Sequence, residues 1–470
     1  FTAMPGEVLS CVGCHERQNT APPNRKTIAA LQSAETIRPW YGPARGFDFR
    51  REVQPVLDAL CISCHADLTD QPDRPLQDNK DGYNLASHFS PSYYALRRHV
   101  RTPAREGDMH LLPPYEYHAE TTRLVQMLRN GHYKVTLDAE AWDRLSTWID
   151  LGAPAHGTWT DICGAARVQH QAERRREMNR RYTGMDGDPE AIGNPYRPAA
   201  NLAAAGKARP PAAPAVNTGP AETARPAHTV QARSFALGSG ISLDAVLIPA
   251  DKPFWLGKCE ITNEQFALFD PAHDSGVENG DYIKFSPGER GWSLARPRQP
   301  VVRVSWHAAA AFCRWLTTKT GHRFRLPAET EWELACRAGT TTPFWYGTLD
   351  TDFSKFANMS DRSHQAIDPF GWSGRALVIP PWRPADTRFD DHARVSATVG
   401  SYAANPWGLH DMHGNVAEWT STADKSGRMV VRGGSWYDTP ARCQSDFRQT
   451  YRPEQGVFDV GFRVLTDAAE

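Results

Sequence analysis

The chain is short of several things, and each shortage narrows what it can be. No apolar run in its 470 residues approaches the roughly 20 that a bilayer-spanning helix needs, so no transmembrane segment is expected in this chain. Charge of one sign is missing as well. Its 53 basic side chains nearly cancel 54 acidic ones, leaving no field to draw in nucleic acid or acidic lipid. No internal repeat or coiled-coil period is visible. The chain opens at Phe1 rather than Met, so a leader and further upstream sequence are expected before it. Hydrophobic residues at 40% and aromatics at 10% suit a globular chain with sizeable cores, and the length suits two or three domains.

Against that background, two short motifs stand out: Cys11-Val12-Gly13-Cys14-His15 and Cys61-Ile62-Ser63-Cys64-His65. Random placement of nine Cys and seventeen His would give roughly 0.006 such matches. Covalent haem attachment needs this arrangement, because two thiols add to the vinyl groups of one porphyrin while the adjacent histidine reaches the iron. A zinc site would need a second Cys or His pair at finger spacing, and neither motif has one. A redox-active CxxC leaves both histidines unexplained. Two haems c are therefore expected, with Cys11, Cys14, Cys61 and Cys64 as attachment points and His15 and His65 as iron ligands. Haem attachment implies maturation outside the cytoplasm, so a periplasmic or otherwise exported location is expected. The other five cysteines (Cys163, Cys259, Cys313, Cys336, Cys443) are an odd number, so at least one is free or pairs outside the chain.

Local pattern places these motifs on structure. Phe49, Val53, Val56, Leu57 and Leu60 share a helical face that leads into Cys61, with Pro55 limiting or kinking the helix. A second axial ligand has several candidates: His88, His99, Met109, His110, His118 and His132. His132 lies between a helix of about Thr121 to Asn130, stopped by Gly131, and another that starts at an Asp138 N-cap and ends at Gly152. The latter helix is expected to bury Trp142, Leu145, Trp148 and Ile149. Residues 171–181 read as a solvated, Arg-rich helix, and the Ala/Pro-dominated stretch 198–228 as a linker without a core. Beyond Arg233 the chain is rich in Trp and Gly. A helix is expected over Trp306 to Thr320, and another with Pro327 as its first residue.

Two resemblances sharpen this reading. The segments CVGCHE, CISCH, GDMHLLPPYEYHAETTRL (107–124) and GHYKVTLDAEAWDRLSTWIDLGAPAHGTW (131–159) resemble the haem-bearing part of the hydrazine synthase alpha subunit and its relatives. That resemblance covers most of residues 6–160 and implies His65 as proximal and His132 as distal ligand. The catalytic member has a tyrosine ligand just after its first haem motif, whereas Glu16 to Thr20 follow His15 here.

The second half resembles the formylglycine-generating enzyme (sulfatase-modifying factor) family. The stretches Val246 to Pro249, Leu256 to Thr262, Arg325 to Glu333, Gly408 to Trp419, Arg432 to Trp436 and Gly461 to Arg463 carry it. This implies a C-type-lectin-like α+β fold with bound calcium. One implied calcium site is Asp411, Gly414, Val416 and Glu418; the other is Asn358, Met359, Asp391 and Ala393. The family's oxidase chemistry uses two cysteines holding copper(I); the second falls on Cys443 but the first on Asp438, a poor ligand for soft copper(I).

The expected architecture is therefore multidomain. A mainly α, class I-like dihaem cytochrome c region fills 1–160, a charged helix and Ala/Pro-rich linker 161–232, and an α+β C-type-lectin-like domain 233–470. The leading function is electron transfer to a redox protein or within a membrane complex, with the second half an inactive scaffold or recognition module. Two alternatives are carried: a haem enzyme with one iron open to a small nitrogen or oxygen substrate, and a sulfatase-activating oxidase.

Overall fold

The computed structural model describes residues 40–43, 45–72, 74–75, 88–101, 117–168, 170–184, 186–187, 195–198, 230–278, 292–365 and 385–468. The first motif (Cys11, Cys14, His15), Met109 and His110, the 198–228 linker beyond Pro198 and the loop 366–384 lie outside the described residues.

The first half is built from short helices: α1 (Phe49–Glu52), α2 (Gln54–Leu60), α3 (Pro91–Arg97), α4 (Arg123–Arg129), α5 (Ala139–Asp150), α6 (Trp159–Cys163) and α7 (Gln171–Thr183). Two strands, β1 (Arg74–Pro75) and β2 (His88–Phe89), pair antiparallel. The expected helix before Cys61 breaks at Val53, and Pro55 sits in the first turn of α2, where its missing N–H costs nothing. Asp48 caps α1 by accepting from Arg51 N, and Asp138 caps α5 by accepting from Ala141 N. Phe49, Leu57, Leu96, Leu124, Leu145 and Trp148 join in one core. Trp142 is only half-buried, because it lies on the shoulder of α5 rather than its inner face. Within this core Glu52 accepts from Arg45 at 2.6 Å and from the fully buried Arg144 at 2.6 Å. Such a pair adds little net stability but is costly to break. Helix α7 is exposed and charged, as its composition predicts.

The second half holds the sheets. A five-stranded sheet runs in the order β3 (Ala232–Gly238), β4 (Ile241–Ile248), β5 (Phe254–Gly257), β13 (Leu465–Asp467), β8 (Phe324–Arg325), so the last strand returns beside the third. A four-stranded sheet has the order β11 (Arg448–Tyr451), β10 (Met429–Arg432), β9 (Ala417–Ala423), β12 (Val460–Gly461). β6 (Val277–Glu278) and β7 (Trp292–Ser293) form a separate pair. Helices α8 (Asn263–Ala267), α9 (Trp306–Thr320) and α10 (Glu329–Arg337) pack on these sheets. From α9, Phe312 and Leu316 enter a core with Phe266, Trp419, Trp436 and Phe462; burial of each such side chain contributes about 1.5–3 kcal/mol. Pro327 is not the first residue of α10. Ala328 is the N-cap and its amide donates to Glu331 Oε2 at 2.7 Å, a reach-back contact that starts the helix at Glu329.

The two halves touch through ion pairs, most of them buried. Arg101 meets Glu278 at 2.6 Å, Arg123 meets Asp438 at 3.1 Å, and Glu120 receives Arg452 at 2.9 Å and Arg428 at 3.5 Å. Among the described residues, no helix is long and apolar enough to cross a membrane.

Candidate functional site

Helix α2 delivers Cys61 as its C-cap, and the chain then turns tightly. Cys64 N and His65 N both donate to Cys61 O at 3.1 Å, which brings the two thiols and the imidazole to one wall of a cavity. Leu57, Leu60, Leu96, Leu124, Leu128 and Leu137 make the cavity apolar, and its volume is about 190 Å³. Across it stands His132. Helix α4 ends at Asn130, Gly131 adopts φ +85°, a left-handed conformation open to glycine at no cost, and the chain turns His132 inward. The His65 and His132 rings are 5.8 Å apart between centres, with planes 20° from parallel.

These residues fit a haem c. Imidazole nitrogens each about 2 Å from one metal would set the ring centres roughly 6 Å apart. Burial, then His65, holds the His132 pKa below its usual value, which favours the neutral ring that a ligand needs. Two other uses of the motif fit poorly. A reactive CxxC needs a depressed thiol pKa, whereas burial pushes Cys61 up to about 11. Among the described residues no three His, Cys, Asp or Glu side chains gather into a metal-holding group.

Of the other candidate ligands, one shares the cavity and two lie away from it. His99 lines the same cavity, with its pKa lowered to about 4 by burial first and then by Arg123. His118 caps a 3₁₀ turn by accepting from Glu120 N at 3.2 Å. His88 lies in β2, and its side chain is outside the described residues.

In the second half Asp438, the position where the family resemblance implies a copper thiol, is fully engaged. Asp438 Oδ1 meets Arg442 at 2.8 Å and Arg123 at 3.1 Å, while Oδ2 accepts from the amide and hydroxyl of Ser435, each at 3.2 Å. Cys443 is completely buried, with Sγ 3.9 Å from the carbonyls of Ser435 and Asp438. Burial and Asp438 push its pKa well up, the opposite of an activated thiolate. Gly434 closes over it at φ +67°, where an added Cβ would stand 2.5 Å from Sγ.

The residues implied for calcium come together, but not all with free oxygens. Asp391 accepts from Met359 N and Ala393 N, both at 2.8 Å, and Asn358 Oδ1 is buried without a hydrogen-bond partner. Burial, then Asp361, pushes Asp391 up to about 8. At the other site, Asp411 Oδ2 accepts from Gly400 N at 2.6 Å and Oδ1 has no partner. Glu418, however, is bidentate on Arg463 at 2.6 and 2.7 Å and also accepts from Trp332 Nε1 at 2.7 Å. Glu260, which sequence reasoning did not single out, is buried beside Asp411 with Oε2 unpartnered, and burial, then the Asp411 charge, pushes its pKa well above the ordinary carboxyl value. Its only sequence signal was an acidic residue directly before a buried β-branched pair.

Fold and site together define a C-type-lectin-like sheet domain, with Cys443 buried beside Asp438, joined to a helical unit around a Cys-x-x-Cys-His cavity. Residues 211–468 match the Sulfatase-modifying factor enzyme 1-like domain, and the chain belongs to that family. It is 29% identical to a formylglycine-generating enzyme of Bos taurus over 197 residues, covering 37% of this chain and 46% of that one. It is 32% identical to the inactive C-alpha-formylglycine-generating enzyme 2 of Mus musculus over 177 residues, covering 36% and 49%. The chain thus spans about half the length of these relatives. Among solved structures, PvdO from Pseudomonas aeruginosa is 24% identical, with coverage of 51% of this chain and 92% of that one, at a TM-score of 0.34.

Proposed function

We propose that this chain is an exported c-type cytochrome that transfers electrons, with the formylglycine-generating-enzyme-like domain serving as scaffold rather than oxidase. The observation that carries the reading is the cavity with Cys61, Cys64 and His65 on one wall and His132 5.8 Å from His65 on the other. A haem there would supply a one-electron couple at its iron. Cys61 and Cys64 would anchor it, His65 and His132 would hold the iron from both sides, and the leucines would exclude water. A second haem is proposed at Cys11, Cys14 and His15.

The scaffold role rests on Asp438 and on the buried state of Cys443: one thiol cannot form a copper(I) dithiolate, and a fold often outlasts the chemistry once grafted on it. An inactive formylglycine-generating enzyme among the relatives is in keeping with this. Calcium is proposed at Asp391 with Asn358, Met359 and Ala393, and at Asp411 with the carbonyls of Gly414 and Val416. Its partner is proposed to be a redox protein or subunits of a membrane complex, and its location the periplasm or an equivalent exported compartment.

The test is a pyridine haemochrome assay on protein matured in an exporting host. Two haems per chain that resist acidified-solvent extraction are expected, falling to one in Cys61→Ser/Cys64→Ser. Extractable haem, or none, refutes the reading.

A further inference from the structure

The cavity and the second half meet at one helix. Helix α4 presents Leu124, Met127 and Leu128 to the cavity, and His132 follows two residues after its C-cap. The same helix is pinned to the lectin-like domain at both ends. At its first residue Arg123 meets Asp438 at 3.1 Å, with 9% and 4% of the two side chains exposed. At its C-cap Asn130 Nδ2 donates to Arg448 O at 3.1 Å. Just before the helix, Glu120 is gripped by Arg428 and Arg452 from the second half and by Arg129 of α4 itself.

We propose that the lectin-like domain is an internal clamp on α4, and that Asp438 is a positioning residue for the distal wall of the cavity and so for His132. The proposal rests on the haem reading above. Its physical basis is the condition of Arg123. Nε has no hydrogen-bond partner and Nη2 meets Asp438 Oδ1 at 3.1 Å without hydrogen-bond alignment, so the buried guanidinium is held mainly by the charge of Asp438 and by the face of Tyr437, 4.8 Å away. Take away that charge and the buried guanidinium is left with only the weaker pull of Asp459 to offset its burial. It can regain water only if the start of α4 swings away from the β10–β11 connection that carries Tyr437 and Asp438, which drags Leu124 and Leu128 out of the cavity wall. The position that the family fills with its first copper thiol has thereby become the seat of an intramolecular dock.

The test uses the full chain with Asp438→Asn, which keeps the side-chain shape and its contacts to Ser435, and Asn130→Ala, which loosens only the far end of the helix. Hydrogen exchange of residues 119–131 should speed roughly tenfold in Asp438→Asn relative to wild type while α5 stays unchanged. In dithionite-reduced protein, carbon monoxide should bind the Cys61/Cys64 haem roughly tenfold faster, because the distal histidine is less firmly held. Asp438→Glu should restore much of both, and Asn130→Ala should show the same changes to a smaller degree. Exchange in Asp438→Asn equal to wild type overturns the clamp whatever the haem content. Faster exchange in a chain that the haemochrome assay finds without haem would keep the clamp and refute only the haem reading.

Discussion

Replacing Glu418 by Gln should separate two roles that one residue cannot fill at once. The family resemblance makes Glu418 a calcium ligand, whereas the structure has both of its oxygens on Arg463, at 2.6 and 2.7 Å, with Trp332 Nε1 on Oε2. Both members of the ion pair are at most 1% exposed. Glutamine keeps the size and one acceptor for Trp332, but it leaves Arg463 buried without its counter-charge. Breaking one side of a buried pair costs about 3–5 kcal/mol. A domain of this size shifts its midpoint by about 2–4 °C per kcal/mol, so unfolding of the second half should fall by roughly 6–20 °C. Calorimetry of the full chain, with calcium and with a chelator, reads this out. The same loss under both conditions is expected, and Glu418→Gln/Arg463→Met should recover part of it. A shift below about 2 °C in chelator, with a large one in calcium, would refute the argument and make Glu418 a metal ligand.

Two further outcomes are expected. Supplying copper and a cysteine-containing sulfatase peptide should yield no aldehyde by mass spectrometry, because Asp438 cannot replace a copper thiolate and Cys443 is buried; appreciable turnover would mean that another thiol acts. Asp459 is pushed up to about 7, by burial and then by Asp438. Between the ordinary carboxyl range and pH 7 the folded state therefore binds more protons than the unfolded one, and stability falls as pH rises across that window, by at most about 1.4 kcal/mol per unit from this group. Asp459→Asn should flatten the decline of the urea midpoint between pH 4.5 and 7 relative to wild type; an unchanged slope would refute the assignment.

The sequence by itself determined what depends on neighbours along the chain. The Asp138 cap that begins α5, the Gly131 stop before His132 and the span of α9 were all legible, because capping and helical period act over a few residues. The absence of a cysteine at Asp438 was legible too, since it needs only alignment on Gly433 and Gly434. What that aspartate does instead was not, because Arg123 lies 315 residues earlier and reaches it only when two units of different architecture dock. Glu418 is the same case in smaller compass. Its motif points to calcium, and whether its charge is met by a cation or by Arg463, 45 residues on, is settled only when β9 and the segment after β12 lie side by side. Buried charges must find a counter-charge wherever the fold provides one. Spacing along the chain holds no record of which distant residue that will be, so only the tertiary structure could pair them.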